Sequence, residues 1–215
     1  MSNEKEMRDS LLKYYQNGRL DEAEKLAIAI TKEFPLHQFG WKALGAIYGQ
    51  TGRINESLVP NQTSAQLAPH DAQAHYNLGI TLKTLGKLSE AEACYNQAIA
   101  LKPDHAEAHY NLGITLYELG RLNESRSSYK KAIAFKPDYV EALNNLGNTL
   151  QDLGRLDEAK ASYKQAIAWK PDYAEAHYNL GNTHQELGRL NAALASYNQA
   201  IVLKPDYAEA HNNLG

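Results

Sequence analysis

The fold is decided by Ala106–Tyr139, "AEAHYNLGITLYELGRLNESRSSYKKAIAFKPDY". Its first half places Leu112, Leu116 and Leu119 at i, i+4 and i+7, the apolar stripe of an amphipathic helix. Gly120 then allows the positive φ that often ends a helix. The second half carries Leu122, Ser125, Tyr129, Ala132, Ile133 and Phe135 at similar spacing, which predicts a second helix. Asn123 is expected to cap its start, as Ser89, Asp157 and Asn191 are in related stretches. Pro137 ends it, and Asp138 with Glu141 forms an Asp-x-x-Glu arrangement suited to capping the helix after. The stretch therefore reads as a helical hairpin with short turns, and no strand pattern accompanies it.

The same hairpin recurs along the chain. Pro35, Pro69, Pro103, Pro137, Pro171 and Pro205 are each 34 residues apart. Gly18, Gly52, Gly86, Gly120, Gly154 and Gly188 keep the same period, as do Gly45, Gly79, Gly113, Gly147, Gly181 and Gly215. A single hairpin of this size cannot bury its apolar faces, so successive hairpins are expected to stack. A glycine inside a helix costs about 1 kcal/mol relative to alanine, and its repetition points to close helix–helix approach. Ala91, Ser125, Ala159 and Ala193 are small positions on the second helix, with Tyr95, Tyr129, Tyr163 and Tyr197 beside them.

Hydrophobic residues make up 43% of the 215 and charged ones 22%, as in ordinary globular proteins. A net charge of -3 gives no bulk attraction to nucleic acid or anionic membrane. The start, "MSNEKEMRDS", is polar, and no apolar run approaches the ~20 residues that span a bilayer. Cys94 is the one cysteine, so a disulfide within the chain is impossible. A soluble, cytoplasmic protein is expected. The sequons at Asn55, Asn61 and Asn123 read as chance matches.

These columns (Leu-Gly in the first helix, Gly at the turn, Ala, Tyr and Ala in the second, Pro at the end) resemble the tetratricopeptide repeat. The resemblance covers units 4–37, 38–71, 72–105, 106–139, 140–173 and 174–207, with a partial unit 208–215. It implies one all-α array over residues 1–215, a right-handed solenoid of stacked antiparallel helical hairpins. The first two units are degenerate. Leu11 and Ala27 replace the helix glycine and the tyrosine of the first. In the second, Asn61 replaces the tyrosine and Pro60 falls within the second helix, where it should kink or delay it.

No Gly-x-Gly-x-x-Gly, phosphate loop, His-Glu-x-x-His or Gly-x-Ser-x-Gly motif is present, so no enzyme activity and no cofactor is expected. His75, His109, His177 and His211 share a column and lie on successive hairpins rather than converging. His105 and His109 have a possible zinc spacing but no third ligand nearby, and packing between helices is the expected role.

Stacked hairpins make an extended concave surface, and the resemblance implies that the first helices line it. Asn77, Asn111, Asn145, Asn179 and Asn213 form one column there. Asparagine offers both a donor and an acceptor, so such a row suits the backbone of an extended peptide. The same column could instead hold neighbouring helices together. Asn148 and Asn182 continue this face one turn on, where Ile80 and Ile114 stand in earlier hairpins. Tyr76, Tyr110 and Tyr178, with Asn144, flank it on the other side, as groove surface or half-buried packing. Glu118, Asp152 and Glu186 lie at one end. Glu107, Glu141 and Glu175 lie at the other, first as capping partners. The expected groove is polar and net acidic.

The resemblance disfavours a clamp for chaperone C-terminal carboxylates, because its Lys and Arg columns are Glu and Asn here. The asparagine row is most like the repeats of O-linked N-acetylglucosamine transferases, where a similar ladder holds extended substrates. The leading expectation is a non-catalytic module binding a protein or extended peptide of basic or neutral character, with no nucleic acid and no membrane. One alternative is the substrate-recruiting repeat region of a larger transferase; the other is a scaffold that self-associates end to end. The last residues, "KPDYAEAHNNLG", begin another unit, with Leu214 and Gly215 poised for a second helix, so a cut through a longer array is expected.

Overall fold

The computed structural model describes the backbone of residues 2–214 and the side-chain surroundings of residues 3–213. All regular structure among them is helical. The first helices of the hairpins are α1 (Ser2–Gln16), α3 (Gln38–Gln50), α5 (Ala72–Thr84), α7 (Ala106–Glu118), α9 (Val140–Asp152), α11 (Ala174–Glu186) and α13 (Ala208–Leu214). The second helices are α2 (Leu20–Glu33), α4 (Ile54–Leu67), α6 (Leu88–Leu101), α8 (Leu122–Phe135), α10 (Leu156–Trp169) and α12 (Leu190–Leu203). From α3 onward the first helices start at the 34-residue interval set by the prolines. No helix among the described residues is long and apolar enough to cross a membrane. The chain forms two compact units, one ending at Pro103 and one starting at Asp104.

In both units each hairpin turns at a glycine in the left-handed region. Gly120, with φ 74°, is typical, and a side chain there would strain the backbone. The expected caps are displaced. α8 begins at Leu122, so Asn123 lies inside the helix and the cap position falls to Arg121, which makes no capping hydrogen bond. Ser89, Asp157 and Asn191 are inside their helices for the same reason. Arg121 instead pairs with Glu124 at 2.6 Å, and Arg19, Arg53 and Arg155 bracket Glu22, Glu56 and Glu158 in the same way. Asp138 is also one residue too early: the cap position of α9 is Tyr139, without a side-chain cap bond. At α5 an acid does stand in register, where Asp71 accepts from the backbone N–H groups of Gln73 and Ala74.

In the second unit, the core is built on a contact between a glycine and a ring. Tyr129, Tyr163 and Tyr197 are at most 2% exposed, and their rings lie on the backbone of Gly113, Gly147 and Gly181. A Cβ at Gly113 would come within 2.6 Å of the Tyr129 ring. Ser125, fully buried, donates to the carbonyl of Gly113 at 2.8 Å and locks the two helices at the same level. Ala132, Ala142, Leu146, Leu150, Ala159 and Leu180 complete this core.

The first unit solves the same packing problem differently. Tyr95 lies on Gly79 in the regular way, with the ring 2.7 Å from where a Cβ would be. In the first hairpin Leu11 (1% exposed) and Ala27 (0%) exchange the large and small partners, so the bulk comes from the opposite helix. In the second, Asn61 presses on Gly45 and donates to Thr81 Oγ1 at 2.9 Å. Pro60 neither delays nor interrupts α4, which starts in register and runs through it.

The histidine column is structural. His75, His177 and His211 donate from Nε2 to the carbonyl of the proline six residues earlier, at 2.9–3.0 Å. Trp41 Nε1 does the same to Pro35. His109 is buried and stacks on Phe135 at 5.6 Å. No cluster of three or more metal-ligating side chains occurs among the described residues.

Two measurements check these contacts. Gly113→Ala gains helix propensity but overpacks the Tyr129 ring, and overpacking typically costs 1–3 kcal/mol, so the midpoint of urea unfolding should fall. Leu11→Gly should destabilise strongly, and adding Ala27→Tyr should recover at least half of the loss.

His184 stands in the column of Leu116 and Leu150, 9% exposed, with Nδ1 lacking a hydrogen-bond partner. Burial, with Lys164 and Lys160 of α10 and Arg189 at the start of α12, holds its imidazole below the usual 6.5. Apart from Tyr197, α12 carries no titratable side chain. The folded state thus resists a proton that the unfolded chain accepts, so this stability is complete above about pH 6.5 and falls as the pH drops below it. His184→Leu should diminish the loss of stability between pH 7.5 and 5.5 in urea titrations.

Candidate functional site

The Gly–Tyr contact also shapes the exposed side of the first helices in the second unit. With its ring on Gly147, Tyr163 passes its hydroxyl through to α9, where it donates to Asn148 Oδ1 at 2.7 Å and Gln151 Oε1 at 3.2 Å. Tyr197 does likewise with Asn182 and Gln185 on α11, at 2.8 and 2.6 Å. Each second-helix tyrosine thereby orients an asparagine on the first helix.

The asparagine column then ties each hairpin to the one before. Asn179 Nδ2 donates to Asn148 Oδ1 and Asn144 Oδ1, both at 3.1 Å. Asn213 Nδ2 donates to Asn182 Oδ1 at 3.0 Å and reaches Tyr178 Oη at 3.4 Å. Asn145 Nδ2 donates to Tyr110 Oη at 3.3 Å. Asn111 Nδ2 bonds within its own helix, to the Glu107 carbonyl. Holding neighbouring helices together is therefore one real role of the column.

It is not the whole of it, because each amide commits one end. Among the described residues, Asn145, Asn179 and Asn213 use Nδ2 and leave Oδ1 without a hydrogen bond, whereas Asn148 and Asn182 accept at Oδ1 and leave Nδ2. The remaining groups of Asn145, Asn148, Asn179 and Asn182 are not among the buried, unsatisfied atoms, so they reach solvent. One acceptor and one donor thus stand a helical turn apart on α9 and again on α11. Asn144 departs from expectation: it is fully buried and spent at both ends, accepting from Asn179 and donating to Glu175 at 2.8 Å. It positions its neighbours and offers no groove surface.

Tyr110 and Tyr178 are half-buried, their rings 4.7 Å from Tyr139 and 5.0 Å from Tyr207. Lys136 and Lys204 sit over Tyr139 and Tyr207, at 4.6 and 4.9 Å, which keeps these cations at the loops. At the other end of the helices Tyr117 donates to Asp152, a bond that with burial pushes its phenol up to about 12. Gln151 donates to Glu186 in the same relation, and Glu118 is exposed. Tyr117, Gln151 and Gln185 are the site residues that the sequence reading missed. Their signal was present, since they share one column that falls one helical turn beyond Asn148 and Asn182.

Asn77 and Tyr76 belong to the first unit, in a different setting. Asn77 accepts from Gln73 at 2.7 Å and borders an apolar depression with Leu12, Tyr15, Phe39 and Ala43. The corresponding column residue in α3 is Ala43, so the ladder has no rung there.

Stacked helical hairpins held by this Gly–Tyr spacing define a repeat protein of the interaction type. Residues 81–120, 115–154, 148–188 and 186–215 match the TPR repeat, and the chain belongs to the tetratricopeptide repeat family. Curated proteins give no sequence match. Among solved structures it is similar to YrrB, described as a TPR protein with an unusual peptide-binding site (21% identity, 87% of this chain and 96% of that one, TM-score 0.74). It is also similar to PilW, a type IV pilus biogenesis factor (19%, 100% of both chains, 0.84). PilF of Pseudomonas aeruginosa is a third (15%, 99% and 98%, 0.82). At these identities the likeness is one of fold.

Proposed function

We propose that the protein is a non-catalytic interaction module that holds an extended polypeptide against the first-helix face of its second unit. The observation that carries this is the paired donor and acceptor on α9 and α11: Asn145 Oδ1 with Asn148 Nδ2, and Asn179 Oδ1 with Asn182 Nδ2. A peptide backbone presents N–H and C=O groups in alternation, and such pairs can take both without reading side chains. Glu118, Asp152 and Glu186 at the far end favour a basic or neutral segment over an acidic one. YrrB, of the same fold, has a peptide-binding site. We read the six hairpins and the partial seventh as one array in sequence, and a reducing, cytoplasmic setting fits the lone Cys94.

A second reading has its support in the asparagine row and the wording of the repeats, which resemble those of O-linked N-acetylglucosamine transferases. Under it, this array recruits substrates for a catalytic domain encoded further along the same gene. A coding sequence that continues past Gly215 into a glycosyltransferase domain is the expected result, and a stop codon there rejects it.

The leading proposal is tested by selecting binders from an unbiased peptide library and mapping them by photo-crosslinking. Crosslinks should fall on α7, α9 and α11. Asn145→Ala with Asn179→Ala should weaken the selected peptides at least tenfold while far-UV circular dichroism keeps the helical signal. Each lost inter-hairpin bond costs about 1 kcal/mol of stability, so binding is measured well below the melting point. Peptides that crosslink elsewhere, or bind the variant equally well, reject the proposal.

A further inference from the structure

Within the first unit a cavity of about 220 Å³ is lined by α1 and α3 and bordered by Asn77 of α5. Its character follows from a coherent set of departures from the later repeats. Ala43 and Ala46 of α3 stand in the columns of Asn145 and Asn148, and Leu12 of α1 shares the second of these columns. Tyr15 stands in the column of Gln151, and Phe39 in that of Glu141. Each of these positions carries an amide or a carboxylate on α9 and a methyl, an aliphatic chain or an aromatic ring here. Leu12 is 43% exposed, and Tyr15, Phe39, Ala43 and Ala46 are half-buried, so the apolar walls meet solvent.

We propose that this cavity takes one large apolar side chain, such as leucine or phenylalanine, from a polypeptide partner, with Asn77 donating to that residue's backbone carbonyl. The site lies wholly in the first unit and does not rest on the reading of α9 and α11 given above. Its volume is below the roughly 300–1,000 Å³ of small-molecule sites and suits a single side chain. Lys42 is the one charged side chain in the lining, and Asp71 holds it at 2.6 Å. The neighbouring Arg8 lies over the Phe39 ring at 4.5 Å and faces Glu4 at 3.9 Å. A charged ligand side chain would therefore lose its water and meet no uncommitted counter-charge, whereas an apolar one gains by leaving water. Asn77 points to a polypeptide rather than a free hydrocarbon. Its Oδ1 accepts from Gln73 at 2.7 Å, and its Nδ2 makes no hydrogen bond among the described residues, which leaves a donor at the cavity's border. Capture of a single residue in such a site is weak, about millimolar, so the cavity adds selectivity to a partner that further contacts hold.

The test titrates the full chain, isotope-labelled at leucine and alanine methyls, with the N-acetyl methylamides of leucine, phenylalanine, lysine, glutamate and glutamine, read by NMR. The leucine and phenylalanine amides should shift the Leu12, Ala43 and Ala46 signals saturably, at least tenfold more tightly than the other three. Ala46→Ile, which installs the residue that α5 and α7 carry in this column as Ile80 and Ile114, fills the cavity. It should weaken the leucine amide at least fivefold while far-UV circular dichroism keeps the helical signal. Asn77→Ala, matching Ala43 of α3, should weaken the leucine amide and spare isoamyl alcohol, which has a branched chain and no peptide group. Equal shifts from all five amides, shifts from none, or a leucine affinity that survives Ala46→Ile overturns the site. Isoamyl alcohol binding as tightly as the leucine amide, or a leucine affinity that survives Asn77→Ala, overturns the polypeptide assignment. Because the signals read are those of α1 and α3, each of these failures leaves the proposal for α9 and α11 standing.

Discussion

The contact between a tyrosine ring and a helix glycine is the constraint from which the rest of the second unit follows. Without a Cβ at Gly113, Gly147 or Gly181, the ring of the partner helix can lie on the backbone itself. That sets the distance within each hairpin and sends the tyrosine hydroxyl through to the opposite surface. The helix-propensity cost of the glycine, roughly 1 kcal/mol, is offset by burial of a whole aromatic side chain. The exchange of Leu11 and Ala27 in the first hairpin keeps one large and one small side chain in the buried seam, with the large one on the other helix.

The hydroxyls then decide what the asparagines do. Tyr163 and Tyr197 fix Asn148 and Asn182 with their oxygens inward; Asn179 and Asn213 turn their amide nitrogens toward the same oxygens. Cohesion between hairpins and the chemistry offered outward are thus two ends of the same amide groups. A side chain removed from this row changes the stack and the surface together, which is why binding and stability have to be measured side by side.

The period, the hairpins and the glycine–tyrosine pairing were legible because they depend on spacing alone, and 34 residues recur in proline, glycine and tyrosine at once. The cap positions lie one or two residues away from the side chains with capping chemistry. Asp138 and Asn123 have the right chemistry, but the tight glycine and proline turns set the helix starts, and a cap works only at one position. The asparagine column was legible as a column, yet which end of each amide faces outward depends on hydroxyls contributed by the second helix. Asn144 shows the same limit, since its burial follows from Glu175 and Asn179 on the next hairpin rather than from its own neighbours in sequence. Pro60 does not break α4, which runs through it from Ile54 to Leu67.

The ties between hairpins of the second unit join equivalent columns, 31 or 35 residues apart. A whole unit such as Val140–Tyr173 could therefore be excised or duplicated by recombination, and the flanking hairpins would meet with the same partners facing each other. The length of the first-helix face in this architecture is consequently an evolvable quantity that changes in steps of one hairpin without redesign of either neighbour. The first hairpin is excluded from that exchange, because Leu11 and Ala27 carry their bulk on the wrong helices to replace an interior unit.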